Sequence, residues 1–107
     1  MSGEMYVIEG PRAGREGEIL PYSVTWAGFT SVSSALTTAY RDGVDVSGTV
    51  LSGSEVTSGN VQSLRLFTVP TGYGGSEVVL EARVDVSGGA RLTTAVVVRI
   101  LKPGQVS

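Results

Sequence analysis

A chain of 107 residues, 41% hydrophobic and 17% charged, has the size and balance of one small globular domain and leaves no room for two independent cores. Its net charge of −2, with seven Arg and Lys102 scattered along the chain, provides no concentrated electrostatic footprint for nucleic acid. Cys and His are both absent, which excludes disulfides, thiol chemistry and the usual zinc ligands.

The start, Met1-Ser2-Gly3-Glu4, is neither basic nor followed by a long apolar stretch, and the longest apolar run, Ala95 to Val98, is far short of a membrane span. The expectation is a protein made and kept in a cytoplasm, with no membrane partner. Val occurs 17 times, Ser plus Thr 23 times and Gly 15 times. β-branched side chains suit a pleated sheet, and Gly with Ser suits the turns between strands.

In chain order, Met5 to Glu9 reads as a short strand and Pro11 to Gly17 as a polar loop; the polar, Gly-rich segment Gly10 to Gly17 is expected to order only on a partner. Tyr22, Val24 and Trp26 alternate with Ser23, Thr25 and Ala27, which predicts a half-buried strand. Trp26 reads as a large core aromatic. Leu36, Thr38 and Tyr40 form the next alternating row, up to Asp42-Gly43, a type I′ turn signal. Val44 to Val46 is the return, and Val50-Leu51 a further short strand. Ser52-Gly53-Ser54 and Ser58-Gly59-Asn60 are turns. Val61 to Val69 alternates weakly, and Pro70 to Gly75 is a loop.

The last third carries the clearest pattern. Val78, Leu80, Ala82, Val84 and Val86 share one strand face, as do Leu92, Thr94, Val96, Val98 and Ile100. Ser87-Gly88-Gly89-Ala90 joins them as a hairpin turn. About seven short strands at this turn spacing predict an all-β fold, an antiparallel immunoglobulin-like β-sandwich. The layout divides into an N-terminal strand and polar arm (1–16), the sandwich (17–103) and a short tail (104–107).

Chemistry is sparse. Serine triads need a His or Lys base beside the nucleophile, and none of the 13 serines sits in a Gly-x-Ser-x-Gly elbow; no Walker or dinucleotide glycine pattern occurs. Glu16 with Glu18, and Glu77 with Glu81 and Asp85, read as solvated strand faces rather than a facing carboxylate pair. Asp42 and Asp45 flank a turn and offer calcium too few oxygens. Neither a cofactor nor a metal is expected, nor an enzyme. For partner contact, Tyr73 stands out in the Gly-rich loop Thr71 to Ser76, since loop aromatics are common anchors. Arg12 and Arg15 in the polar arm and Lys102 at the start of the tail complete the candidate contact set. Val79, Ala95, Val97 and Leu101 fall on the outer rows of the last two strands and add apolar surface there.

Several segments together resemble small virion proteins of tailed bacteriophages. They are the strand Tyr22-Ser23-Val24-Thr25-Trp26, the strand and Asp-Gly turn Ala39 to Val46, Leu51-Ser52-Gly53-Ser54, the Gly59-Asn60 turn, and the closing pair of strands ending in Arg99-Ile100-Leu101-Lys102. The resemblance spans roughly residues 17 to 103 and is one of layout. Tyr73 preceding Gly74-Gly75 departs from the family's more usual Gly-Gly followed closely by Tyr. The resemblance implies a non-enzymatic, immunoglobulin-like virion subunit of the head-decoration, head-fibre or head–tail accessory type. Its partner would be a protein lattice such as the major capsid protein or a head–tail component, with self-association a further option, and its location the virion, assembled in the host cytoplasm. The alternative is a carbohydrate- or surface-binding β-sandwich module of a bacterial protein, which would group its aromatics on one exposed platform.

Overall fold

The computed structural model describes residues 6–105. The chain runs β1 (Ile8–Glu9), β2 (Ala13–Arg15), β3 (Ile19–Leu20), β4 (Ser23–Thr25), β5 (Ser33–Arg41), β6 (Val44–Asp45), α1 (Ser47–Val50), β7 (Leu51–Ser52), β8 (Val56–Ser58), β9 (Val61–Ser63), β10 (Leu66–Thr68), β11 (Glu77–Asp85) and β12 (Arg91–Leu101). The described residues are therefore all-β with a single helical turn. Three sheets form, with strand orders β1-β4-β9-β8, β3-β10-β7 and β2-β12-β11-β5-β6.

The largest sheet grows from the β11–β12 hairpin. Its ladder runs without a slip from Glu77↔Arg99 to Asp85↔Arg91. The inward row Val78, Leu80, Ala82, Val84 and Val86 is buried, and Val96, Val98 and Ile100 are buried opposite it. The expected rows and the Gly88-Gly89 turn are thus all present. The β5–β6 hairpin also turns where expected, with φ of +54° at Asp42 and +79° at Gly43, the two positive values a type I′ turn requires.

On β5 the expected row is inverted. The register sets Ala39 opposite Leu80 and Thr37 opposite Ala82. Paired residues in a ladder share a face, so Thr37 and Ala39 turn inward and are buried, while Leu36 is exposed. The Thr37 hydroxyl accepts the Arg65 backbone N–H at 3.4 Å, which satisfies a polar atom on the buried row.

The polar segment Pro11 to Gly17 is not a free arm. Its centre is β2, which pairs in parallel with the end of β12 through Ala13↔Arg99, Gly14↔Ile100 and Arg15↔Leu101. Ile8 of β1 is buried and pairs with Val24. The expectation that residues 10–17 order only on a partner is corrected: they order on this chain's own sheet. Gly14 leaves room for the Leu20 side chain of β3, because a Cβ there would lie 2.6 Å from Leu20 Cδ1. Of the expected strand from Met5 to Glu9, Met5 lies outside the described residues.

Twelve strands replace the expected seven, because nine of them have only two or three residues. The stretch Val61 to Val69 breaks at Leu64-Arg65, so β9 joins one small sheet and β10 another. The expected Val50-Leu51 strand is half helix, with Val50 ending α1 and Leu51 opening β7. One core cluster nevertheless gathers buried side chains from all three sheets, including Trp26, Phe67, Leu80, Val84, Val96 and Val98. Trp26 is fully buried, as expected of a core aromatic, just beyond the end of β4. Its indole N–H donates to Gln62 Oε1 at 3.1 Å, and the Tyr6 ring tilts against it with centroids 4.9 Å apart.

Candidate functional site

The chain must turn from the small β3-β10-β7 sheet into β11 through Thr71-Gly72-Tyr73-Gly74-Gly75-Ser76. Such a loop has many backbone donors and few side chains to satisfy them. Glu16, just after β2, supplies the acceptor: its Oε2 takes the N–H of Gly72 at 3.0 Å and of Gly74 at 2.8 Å. Tyr73 turns into the core and is only 8% exposed. The Arg41 guanidinium lies 4.1 Å from its ring centroid, a cation–π geometry. Arg41 also donates to Ser76 Oγ, from Nε at 3.1 Å and Nη2 at 2.9 Å. Two backbone bonds fix the loop to β12, Gly75 N–H to Ile100 O at 2.7 Å and Ile100 N–H to Ser76 O at 2.9 Å.

The C-terminal turn closes over the same corner. Arg15 donates to the carbonyls of Lys102 and Gln105. The Gln105 side-chain oxygen accepts the Lys102 N–H at 2.9 Å. The Lys102 side chain runs over Gly75, where a Cβ would come within 2.9 Å of its Cε. Between loop and turn lies an open polar depression of about 210 Å³, walled by Ser76, Glu77, Arg99, Lys102 and Gln105.

Three of the four candidate contact residues therefore meet at one corner of the large sheet, and their roles differ. Lys102 is exposed on the wall of the depression. Arg15 is half-buried and holds the C-terminal turn. Tyr73 is not presented to solvent but packed beneath Arg41, so its place in the loop has a structural cause. Arg12 is exposed, donates to Ile8 O at 3.3 Å and does not line the depression. It stands near Tyr22, whose hydroxyl donates to Pro11 O at 2.6 Å. Burial pushes the Tyr22 phenol up to about 12, against the opposing pull of the Arg12 charge.

The carboxylates elsewhere are mostly tied to neighbouring donors. Glu16 and Glu18 do not share a strand face: both lie in the turn between β2 and β3, and Glu18 Oε1 accepts the Arg15 N–H at 2.8 Å. Asp45 accepts the Ser47 N–H at 2.9 Å, and its bonds to Ser47 hold its carboxyl below the usual range. Glu55 accepts the Thr37 N–H at 3.2 Å. Asp85 takes two donors from Arg91, at 2.7 and 3.4 Å, and that hydrogen bonding lowers its pKa. Among the described residues no three metal-ligating side chains gather.

Glu16, Arg41, Ser76, Arg99 and Gln105 were not visible as site residues in the sequence. The one available signal was the Gly-rich loop itself, whose N–H groups demand an acceptor from elsewhere in the chain. No family model matches the chain, and no curated protein matches it either.

Proposed function

We propose that the protein is a non-enzymatic structural subunit of a tailed-phage virion, a capsid decoration or head accessory protein, whose three sheets serve as the layers of an immunoglobulin-like sandwich. The observation that supports a structural role is the use of its polar side chains. Glu16, Glu18, Asp45 and Glu55 accept backbone N–H groups, and Arg12, Arg15 and Arg65 donate to backbone carbonyls. Groups held this way stiffen a frame, and a catalytic carboxylate or base would instead be aimed at a substrate. The layout shared with small virion proteins supports the phage assignment. The exposed large apolar side chains are aliphatic, Trp26, Phe67, Tyr22 and Tyr73 are buried, and Tyr6, Phe29 and Tyr40 are half-buried, which favours the structural reading over a glycan-binding module with its aromatics on one exposed platform.

The test is cosedimentation of the full chain with shells of the capsid and head–tail proteins encoded beside it. Saturable binding at a fixed copy number per shell is the expected result. A chain that stays in the supernatant with every such shell overturns the reading.

A further inference from the structure

The eight cations of this chain are not equivalent. Arg12, Arg15 and Arg65 donate to backbone carbonyls, Arg41 to Ser76 and Gly72, and Arg91 to Asp85. Arg83 lies near Asp85. Arg83, Arg99 and Lys102 make no side-chain hydrogen bond or ion pair among the described residues, and of these three Arg99 and Lys102 are exposed walls of the same depression, whereas the Nε of Arg83 is buried elsewhere. Glu77 faces Arg99 across the β11–β12 ladder without forming an ion pair with it.

We propose that this depression receives a single carboxylate from an acidic protein surface. The inference deepens the structural-subunit reading and rests on it for the partner's being a protein. The donors available there are the Lys102 ammonium and the Arg99 guanidinium. Ser76 adds its hydroxyl proton, since its oxygen is already an acceptor for Arg41, and Gln105 adds its amide nitrogen, since its oxygen is already used by the Lys102 N–H. An anion is the chemistry that satisfies such a set. The Glu77 carboxylate offsets one of the two cations, so the wall carries one net positive charge. That suits a monoanion and disfavours a doubly charged phosphate. The net charge of −2 on the whole chain further disfavours a nucleic-acid backbone.

The test is an NMR titration of the full chain with a capped triglutamate peptide, inorganic phosphate and a capped trilysine peptide. Triglutamate should give saturable shifts centred on Ser76, Arg99, Lys102 and Gln105. The double variant Arg99→Gln/Lys102→Gln should bind about tenfold more weakly, since each exposed pair contributes a few-fold. Its melting temperature should not change, because neither side chain holds the fold. Glu77→Gln should bind about threefold more tightly, by loss of one repulsive charge. The proposal is overturned by shifts spread equally over Arg65 and Arg91, by unchanged affinity in the double variant, by phosphate or trilysine binding as tightly as triglutamate, or by weaker binding in Glu77→Gln. The titration contains no particle, so the two readings fail separately. Shell binding by a chain whose depression ignores triglutamate sinks only this site, and triglutamate binding without shell attachment sinks only the virion assignment.

Discussion

The β11–β12 hairpin and the corner at Thr71–Ser76 adjoin one another but are ordered by different means. The hairpin is ordered by its own residues: a two-residue apolar period on each strand, a Gly-rich turn between them and a ladder that runs without a slip. Half of the corner's six residues are Gly. Its conformation is imposed by Glu16 and Arg41, which lie far from it in the chain. Local patterning orders the one, and long-range polar contacts order the other. The hairpin should therefore resist changes elsewhere, and the corner should fail when any distant partner is removed.

The largest break is deletion of residues 1–16. The deletion removes β1 and β2, the Ile8 side chain from the core, and Arg15 and Glu16 from the corner. Loss of buried Ile8 alone costs about 2 kcal/mol, and the unpaired edge of β12 and the two freed loop N–H groups add to it. The expected outcome is a denaturation midpoint lowered by at least about 3 kcal/mol of stability, or no cooperative transition at all. A truncated chain as stable as the intact one would mean that β1 and β2 are ornamental.

Next in size is truncation within the hairpin. Leu80→Ala and Val84→Ala each remove a fully buried side chain from the shared core. Each should cost roughly 2–4 kcal/mol in chemical denaturation, from lost transfer energy plus the cavity left behind. A loss below about half a kcal/mol at both sites would place this row outside the core.

The same contrast explains what was legible in the sequence. Leu80, Val84, Val96 and Val98 could be placed because strand period and burial coincide over nine or more residues. The Asp42-Gly43 turn could be placed because few residue pairs accept two positive φ values. On β5, Leu36 and Tyr40 suggested the wrong face, because the larger apolar residues there lie on the outer row and the partner strand decides which row is buried. Strand β2 was invisible, since Ala-Gly-Arg has no β-branched residue and pairs through its backbone alone. Glu16 reads as a surface carboxylate until the loop 56 residues later is folded against it. Tyr73 reads as a loop anchor until Arg41 is found over its ring.

At the corner, Glu16→Ala should cost about 1–2 kcal/mol, because it orphans two partly exposed N–H groups that now bond to a charged acceptor. The sharper readout is amide exchange. Gly72 and Gly74 should exchange faster, while Val78 and Leu80 in the hairpin should keep their protection. Glu16→Gln retains an acceptor oxygen and should recover part of the effect. Uniform loss of protection across both regions would show that corner and hairpin open as one unit.

The smallest effect belongs to the far end of the hairpin, where Arg91 and Asp85 pair on the surface. Their side chains are 58% and 32% exposed, so water and salt weaken the pair. Hydrogen bonding from Arg91 lowers the Asp85 pKa in the folded state below its ordinary 3.8. A lowered carboxylate pKa contributes stability above the unfolded value, and that contribution disappears as pH falls through the folded value. Wild type should therefore melt slightly above Asp85→Asn at neutral pH, and the difference should close once the pH is well below 3.8. High salt at neutral pH should narrow the same gap, since the pair is exposed. Because the hairpin is ordered by its apolar rows, the amides of Val78 and Leu80 should keep their protection in the variant. Fraying that reached those residues would mean that this ion pair, rather than the buried row, holds the hairpin closed.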